Sequence, residues 1–176
     1  MLYTRRGDDG TSGLFGGKGR LPKDCPLFEA LGTVDELNSL LGVCFAKAES
    51  NKNEEIVKLL RASQEDLFIV QAELAGADKK LEQSHVDRLE GEIAKLEARF
   101  ENPNSFIIAG GSELSALLDY ARSVSRRAER QVLAVQSDHP TSSETHKYLN
   151  RLSSFLYAAA RFAAASAGVE EQKPSY

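Results

Sequence analysis

Arg122, Arg126 and Arg130 recur at every fourth position, with Arg127 beside them and Glu129 three places after Arg126. On a helix this spacing stacks three guanidiniums along one face. So many cations on little more than two turns repel one another, and an acidic chain gains no stability by placing them there. Arginine is suited to bidentate contact with phosphate or carboxylate. The row is therefore a candidate anion-binding face, with a merely solvated basic face as the alternative. A second anion candidate lies between Thr4 and Arg20, where six glycines, Gly7, Gly10, Gly13, Gly16, Gly17 and Gly19, mix with Arg5, Arg6 and Lys18. Glycine exposes backbone N–H groups, and such groups bind anions, phosphates above all. A disordered polar terminus is the competing reading. Leu14 and Phe15 in the middle of the stretch, and an order that is not low-complexity, weigh against it. The segment is not a P-loop, because Gly17-Lys18 is followed by Gly19 and no buried strand precedes it. Nor does it sit between a strand and a helix as the dinucleotide fingerprint does.

Three further constellations carry polar side chains beside apolar ones. Asp35, Asn38 and Ser39 share one helical face next to an apolar stripe, which alone is the polar side of an amphipathic helix. Phe106-Ile107-Ile108-Ala109 runs into Gly110-Gly111-Ser112, an apolar strip leading to a helix start and the one piece that could pass as extended. Asn150 and Arg151 interrupt an otherwise apolar helix after Tyr148 and Leu149, and need partners if buried. Metal chemistry finds little support. Of His85, His139 and His146, only His85 completes a Glu-x-x-His, with Glu82, and a di-iron bundle needs two such pairs. No metal bound by protein side chains is expected.

Helices must position these groups. Phe28, Leu31, Val34, Leu37, Leu41 and Phe45 step by threes and fours after Pro26 in a first turn. Ile56, Leu60, Ser63, Leu67, Val70 and Leu74 repeat the pattern, with Glu54 and Glu55 at the positive end. A third run uses Val86, Leu89, Ile93, Leu96 and Phe100, with Ser84 as the expected cap. The fourth begins after Ser112 and uses Leu114, Leu117, Ala121, Val124, Ala128 and Val132. The fifth follows an expected capping box, Thr141-x-x-Glu144, and uses Leu149, Leu152, Phe155, Ala159 and Phe162. Five helices of about 17–25 residues with short connections predict an all-α, up-and-down, ferritin-like bundle. Ala158–Ala160, Ala163–Ala165 and Ala167 make the fifth helix apolar nearly all round. Such a helix is central, and its small residues also suit a contact with a second copy. The expected organisation is one domain over 1–176: a glycine-rich segment at 1–22, the bundle at 24–168 and a flexible tail at 169–176.

The 176 residues carry a net charge of −4, with an isoelectric point near 5.5. That argues against a general nucleic-acid binder. The first residues lack the apolar core of a signal peptide. The stretch from Phe155 to Val169 is too short to span a bilayer and is interrupted by Arg161. Cys25 and Cys44 form no CxxC, and two free thiols in a reducing cytoplasm are expected.

Taken together, these segments resemble the PduO-type ATP:cob(I)alamin adenosyltransferases. The family's T-R/K-T-G-D-x-G start is similar to Thr4-Arg5-Arg6-Gly7-Asp8. Its K-D-x-x-x-E-A-x-G-T-x-D-E-L-N segment matches Lys23-Asp24 through Asn38. F-I-L-P-G-G-S matches Phe106 to Ser112, the C-R-R-A-E-R helix matches Ser125 to Arg130, and Y-L-N-R-L-S-D matches Tyr148 to Ser153. The resemblance implies a homotrimer of five-helix bundles with active sites at subunit interfaces. It implies a magnesium-dependent enzyme that moves the 5′-deoxyadenosyl group of ATP to cob(I)alamin, releasing triphosphate, and that binds cob(II)alamin four-coordinate to ease its reduction. ATP would lie on Thr4, Arg5, Arg6, Gly7, Asp8, Gly13, Leu14 and Lys23, and across the interface on Arg126, Arg127, Glu129, Arg130 and Asn150. Asp35 would pair with Arg122 of another subunit beneath the corrin. Phe106 would press on its lower face, displacing the dimethylbenzimidazole, and Arg126 would serve the chemical step. A reductase and a B12-dependent acceptor enzyme are the further partners implied, with no nucleic acid or membrane.

The chain departs from the pattern at three places. Arg6 stands for the second threonine of the start, Ala109 for the proline before Gly-Gly, and Ser154 for the aspartate that ends the last motif. Two other readings remain: a nucleotide-binding sensor or carrier that does not turn over, and a purely structural bundle.

Overall fold

The structure is a computed structural model that describes residues 3–14 and 19–176. Phe15, Gly16, Gly17 and Lys18 of the glycine-rich stretch lie outside the described residues. Five helices form: α1 (Pro26–Ser50), α2 (Glu54–Leu74), α3 (Gln83–Glu97), α4 (Glu113–Ala134) and α5 (Ser143–Ser166). Their neighbours run α2, α1, α4, α5, α3. The chain therefore joins adjacent helices at α1–α2 and α4–α5, whereas α1 meets α4 across most of the sequence. The core follows the apolar periods, with Leu37, Leu41, Ile56, Leu60, Leu67, Leu96, Leu118, Leu149 and Phe155 fully buried. Helix α5 has buried residues on most of its faces, including Ala158, Ala159, Ala160, Ala163 and Ala164. Small side chains there let α4 and α3 approach it closely.

The ends of the helices show where side chains won over pattern. Pro26 opens α1, where its missing N–H costs nothing. Ser112 caps α4 by accepting the Ser115 N–H, and Ser115 Oγ in turn accepts the Ser112 N–H. Helix α3 starts two residues earlier than Ser84 as cap would give. Glu82 is the cap position, and His85 Nδ1 accepts its N–H at 3.1 Å. The Thr141-x-x-Glu144 box does not form either, because Gln136 engages Thr141 through both its backbone and its hydroxyl. Ser142 caps α5 instead, held by the Glu73 carboxylate, which accepts the Ser142 N–H at 2.7 Å and the Thr145 hydroxyl at 2.6 Å.

The glycine-rich start is not wholly irregular. β1 (Thr11–Gly13) and β2 (Arg20–Pro22) pair antiparallel, Ser12 opposite Leu21. Phe106–Ala109 is no strand; it runs as an irregular loop between α3 and α4. The chain beyond Gly168 carries no helix or strand, yet two of its residues bind the body. Glu171 lies 3.2 Å from Arg161, and Gln172 accepts a backbone hydrogen bond from Ile108.

Candidate functional site

A cleft of about 630 Å³ opens between the α3–α4 loop and helices α4 and α5. Phe106 and Ile107 supply the loop wall, Asp119, Arg122 and Arg126 the α4 wall, and Tyr157 part of the α5 wall. Three residues that sequence reasoning singled out as catalytic, Phe106, Arg122 and Arg126, thus meet in one place. Their states differ. Phe106 is 78 % exposed. Arg126 is exposed, and no described carboxylate lies within ion-pair reach of it or of Arg130. Arg122 is half-buried, with Nε 3.6 Å from Asp119 Oδ1. The cleft therefore offers an apolar plate beside two guanidiniums, one of which, Arg122, faces the Asp119 carboxylate without a hydrogen bond at its Nε. That combination suits a flat, largely apolar ligand carrying or approaching negative charge.

Asp35 does not reach this cleft within one chain. It is exposed on α1, where Gln71 Nε2 lies 3.5 Å from its carboxylate. Asn38, expected beside it, is buried instead; its backbone carbonyl accepts from Gln64 Nε2 at 3.1 Å, and its side-chain oxygen has no partner. Arg127 faces away from the free arginines and pairs with Glu36 on α1. Glu129 and Asn150 are brought together, Asn150 Nδ2 donating to Glu129 Oε1 at 3.1 Å. Arg151 donates to Asn150 Oδ1 at 2.7 Å and to Glu90 at 3.0 Å, so the α5 polar pair is held in one orientation.

The start of the chain is a folded loop with an internal scaffold. Lys23 Nζ donates to the Gly7 carbonyl at 2.8 Å, and Lys23 N–H to the Gly10 carbonyl at 2.9 Å. A Cβ at position 7 would come within 2.9 Å of Lys23 Nζ and 3.3 Å of the Thr11 carbonyl, so a larger residue there would push the Lys23 ammonium off the Gly7 carbonyl. Arg20 grips the hairpin from outside the predicted set. Its Nη2 donates to the Arg6 carbonyl at 2.5 Å and the Thr11 carbonyl at 2.7 Å. Asp9 accepts the Thr11 hydroxyl and N–H, which holds its carboxyl below the usual range, with Arg20 adding to the effect. Arg5 adopts φ 61°, a left-handed backbone that L residues avoid. Arg5, Arg6 and Asp8 are exposed on this loop, as Thr4 and Gly13 are, while Gly7 and Leu14 are half-buried. The Arg5 guanidinium lies 5.7 Å from the centroid of the Tyr3 ring. Arg20 was visible in the sequence only as one more cation of a basic stretch.

Asp119, Tyr157 and Arg161 were also missed. Arg161 is 2 % exposed and paired with Asp119 and Glu171. Its signal was present: it is the single cation in the apolar run from Phe155 to Val169. Among the described residues no group of three or more His, Cys, Asp or Glu converges to hold a metal ion, and no helix is long and apolar enough to cross a membrane.

Comparison with known proteins places this geometry. A family model described as Cobalamin adenosyltransferase matches residues 2–163. A corrinoid adenosyltransferase from Bacillus subtilis (strain 168) is 38 % identical over 173 residues, covering 96 % of this chain and 89 % of the relative. A corrinoid adenosyltransferase PduO from Salmonella typhimurium is 39 % identical over 167 residues; they cover 91 % of this chain but 48 % of the relative, so the chain spans about half its length. Among solved structures, a phenylalanine-to-alanine variant of a PduO-type ATP:corrinoid adenosyltransferase from Lactobacillus reuteri, complexed with cobalamin and ATP, superimposes with a TM-score of 0.92. It is 29 % identical, and the match covers 100 % of both chains.

Proposed function

The chain belongs to the cobalamin adenosyltransferase family, and we propose that it transfers the 5′-deoxyadenosyl group of ATP to cob(I)alamin, forming adenosylcobalamin and releasing inorganic triphosphate. The observation that carries this reading is the cleft where an unpartnered Phe106 ring faces Arg122 and Arg126. A corrin is a flat apolar ring with polar edges, and Phe106, Ile107 and Tyr157 give it apolar contacts. Phe106 against its lower face leaves no room for the dimethylbenzimidazole on cobalt. Losing that ligand destabilises Co(II) relative to Co(I), so a weak reductant suffices.

Transfer itself needs no covalent protein nucleophile. The Co(I) lone pair attacks C5′ of ATP and becomes the Co–C bond; the C5′–O bond breaks, and its electrons leave with triphosphate. Cobalt ends formally as Co(III). Charge grows on the triphosphate oxygens, and fixed cations there lower the barrier. Arg126 and Arg130 are exposed and have no ion-pair partner among the described residues, which suits that role. Arg5, Arg6 and Lys23, with Thr4, Gly7, Asp8, Gly13 and Leu14, would hold the nucleotide from the N-terminal loop. Glu129 and Asn150, already hydrogen bonded to each other, would take its ribose. Arg127 would have to leave Glu36 to join them, so its share is the smallest. Magnesium arrives with ATP as part of the substrate. Holding cobalt in line with C5′ is the proximity contribution.

The site needs a second copy. Asp35 does not line the cleft that holds Arg122 and Arg126, and Val43, Phe68 and Tyr120 are more than half exposed on α1, α2 and α4. A homotrimer covers such apolar groups and lets Asp35 of one copy meet Arg122 of the next. A reductase that delivers the electron and a B12-dependent enzyme that accepts the product complete the partners.

The test is spectroscopic. The protein is mixed without oxygen with cob(II)alamin and excess Mg-ATP, and absorbance and EPR are followed for four-coordinate Co(II). A strong reductant is then added and adenosylcobalamin is measured. Both signals are expected. ATP binding with neither signal would reduce the protein to a nucleotide-binding carrier.

A further inference from the structure

Arg161 is a buried cation in an otherwise apolar helix, and such a charge must be neutralised. Two carboxylates do so. Asp119 on α4 accepts from its Nη2, and Glu171 Oε1 of the C-terminal segment lies 3.2 Å from the same nitrogen. Asp119 also acts on the cleft, because its other oxygen faces Arg122 Nε there at 3.6 Å. The result is a row of alternating charge, Glu171–Arg161–Asp119–Arg122, that runs from the tail into the site. Arg161 also lies over the Tyr157 ring of the cleft wall, 5.0 Å from its centroid.

The backbone around Glu171 reaches the opposite wall. The Gln172 carbonyl accepts the Ile108 N–H at 2.9 Å, two residues from Phe106. Position 111 lies beside the crossing, at ordinary packing distance from it. A Cβ there would stand 3.4 Å from Val169 Cγ1 and 3.6 Å from Glu171 Cγ. The tail therefore touches both the buried α5 arginine, Arg161, through charge, and the Phe106 loop, through a main-chain hydrogen bond.

We propose that residues 169–172 form a strap that positions the corrin side of the site, with Glu171 as its positioning residue. Glu171 shares the neutralisation of Arg161, which leaves Asp119 available to orient Arg122, and its neighbours fix the loop that carries Phe106. Without the Glu171 charge, Asp119 is drawn wholly to Arg161, Arg122 loses its anchor and the Ile108–Gln172 bond loosens. ATP contacts are not involved. The proposal rests on the adenosyltransferase reading for its chemical consequence, though not for the strap itself.

The experiment compares full-length wild type, Glu171→Gln and Gln172→Ala in two assays. Hydrogen–deuterium exchange without ligand reads residues 105–112, and cob(II)alamin with Mg-ATP reads the four-coordinate Co(II) EPR signal beside the ATP dissociation constant. Glu171→Gln should speed exchange in that segment and cut the four-coordinate fraction roughly fivefold, while ATP affinity stays within about twofold. Gln172→Ala keeps the carbonyl and should match wild type in both. Unchanged exchange in Glu171→Gln overturns the strap. Faster exchange with an unchanged Co(II) signal overturns its role in positioning, as does an equal loss of ATP affinity, which marks general unfolding. A wild type that forms neither four-coordinate Co(II) nor adenosylcobalamin overturns the adenosyltransferase reading and the positioning role with it, and the exchange data then still judge the strap.

Discussion

Replacing Phe106 with alanine should separate catalysis from folding more cleanly than any other single change. Phe106 is 78 % exposed, so about a fifth of the residue is shielded by the chain. Full burial of a phenylalanine stabilises by about 1.5–3 kcal/mol, and a fifth of that is ~0.3–0.6 kcal/mol. For a chain of this length, the expected fall in Tm is about 1–2 °C. Phe155 provides the contrast. It is fully buried, and Phe155→Ala should cost about 3–5 kcal/mol.

The functional loss from Phe106→Ala should instead be large and confined to one step. If the ring holds the lower face of the corrin, its removal lets a ligand return to Co(II), and reduction slows. Pre-reduced Co(I) has no such ligand to exclude, so transfer from Co(I) should fall far less. The assay follows adenosylcobalamin formation from both starting states and pairs it with EPR of the Co(II) complex and a thermal melt. A Tm drop beyond ~5 °C would show that the ring packs against the body. Equal losses from Co(I) and Co(II) would remove Phe106 from ligand exclusion altogether.

Arg126→Ala should leave Tm within about 1 °C, because the side chain is exposed and unpaired, yet weaken ATP binding roughly 10- to 100-fold, the worth of a charge-assisted hydrogen bond; calorimetry with Mg-ATP checks it, and unchanged affinity would take the arginine row out of the mechanism. Burial raises the Asp66 carboxyl above its ordinary value of 3.8, against the lowering effects of Tyr148, Arg88 and His85, with Glu65 raising it further. The folded state therefore binds this proton more tightly than the unfolded state, so the group adds stability as pH falls through its folded pKa and loses it as pH rises. The stability of wild type relative to Asp66→Asn should improve from about pH 7 to about pH 4.5 in urea titrations, and a flat difference would refute the burial argument. Cys44 is fully buried and its thiol is pushed up to about 12, whereas Cys25 is half-buried; a thiol reagent should modify Cys25 in the native protein and reach Cys44 only after denaturation, read by counting thiols under both conditions.

The bundle was legible because burial imposes its period directly on sequence: Val34, Leu37 and Leu41, or Leu149, Leu152 and Leu156, face inward wherever the spacing puts them. Caps were less legible because a neighbour can claim the capping side chain. Thr141 lost its role to Gln136, and Ser142 gained one through Glu73, a residue 69 positions away. The β1–β2 hairpin left no alternation to read, since three-residue strands held by Arg20 need none. Phe106 and Arg126 were legible at motif positions and Arg122 in the every-fourth-residue arginine row, and the fold does bring them to one cleft. Asp119 was not, because nothing local distinguishes an aspartate that must answer a cation 42 residues later. Arg161 carried the clue, since a lone cation inside an alanine-rich helix demands a carboxylate from elsewhere.

These differences sort the polar residues by what their loss would cost. Phe106, Arg126, Arg130 and Asp35 are exposed, so the fold does not need them, and under the proposed function they serve a ligand or a second copy. Asp66, Glu73 and Arg161 are enclosed by partners, and removing any of them leaves a buried group unmatched. Asp119 is the one residue in both sets. One of its oxygens neutralises a cation of the core, and the other faces an arginine of the cleft. Because of that sharing, the core does not merely carry the site: any change in how Arg161 is neutralised must reappear as a change in how Arg122 is held. The tail belongs to the same account, for Glu171 is the other carboxylate that Arg161 can draw on.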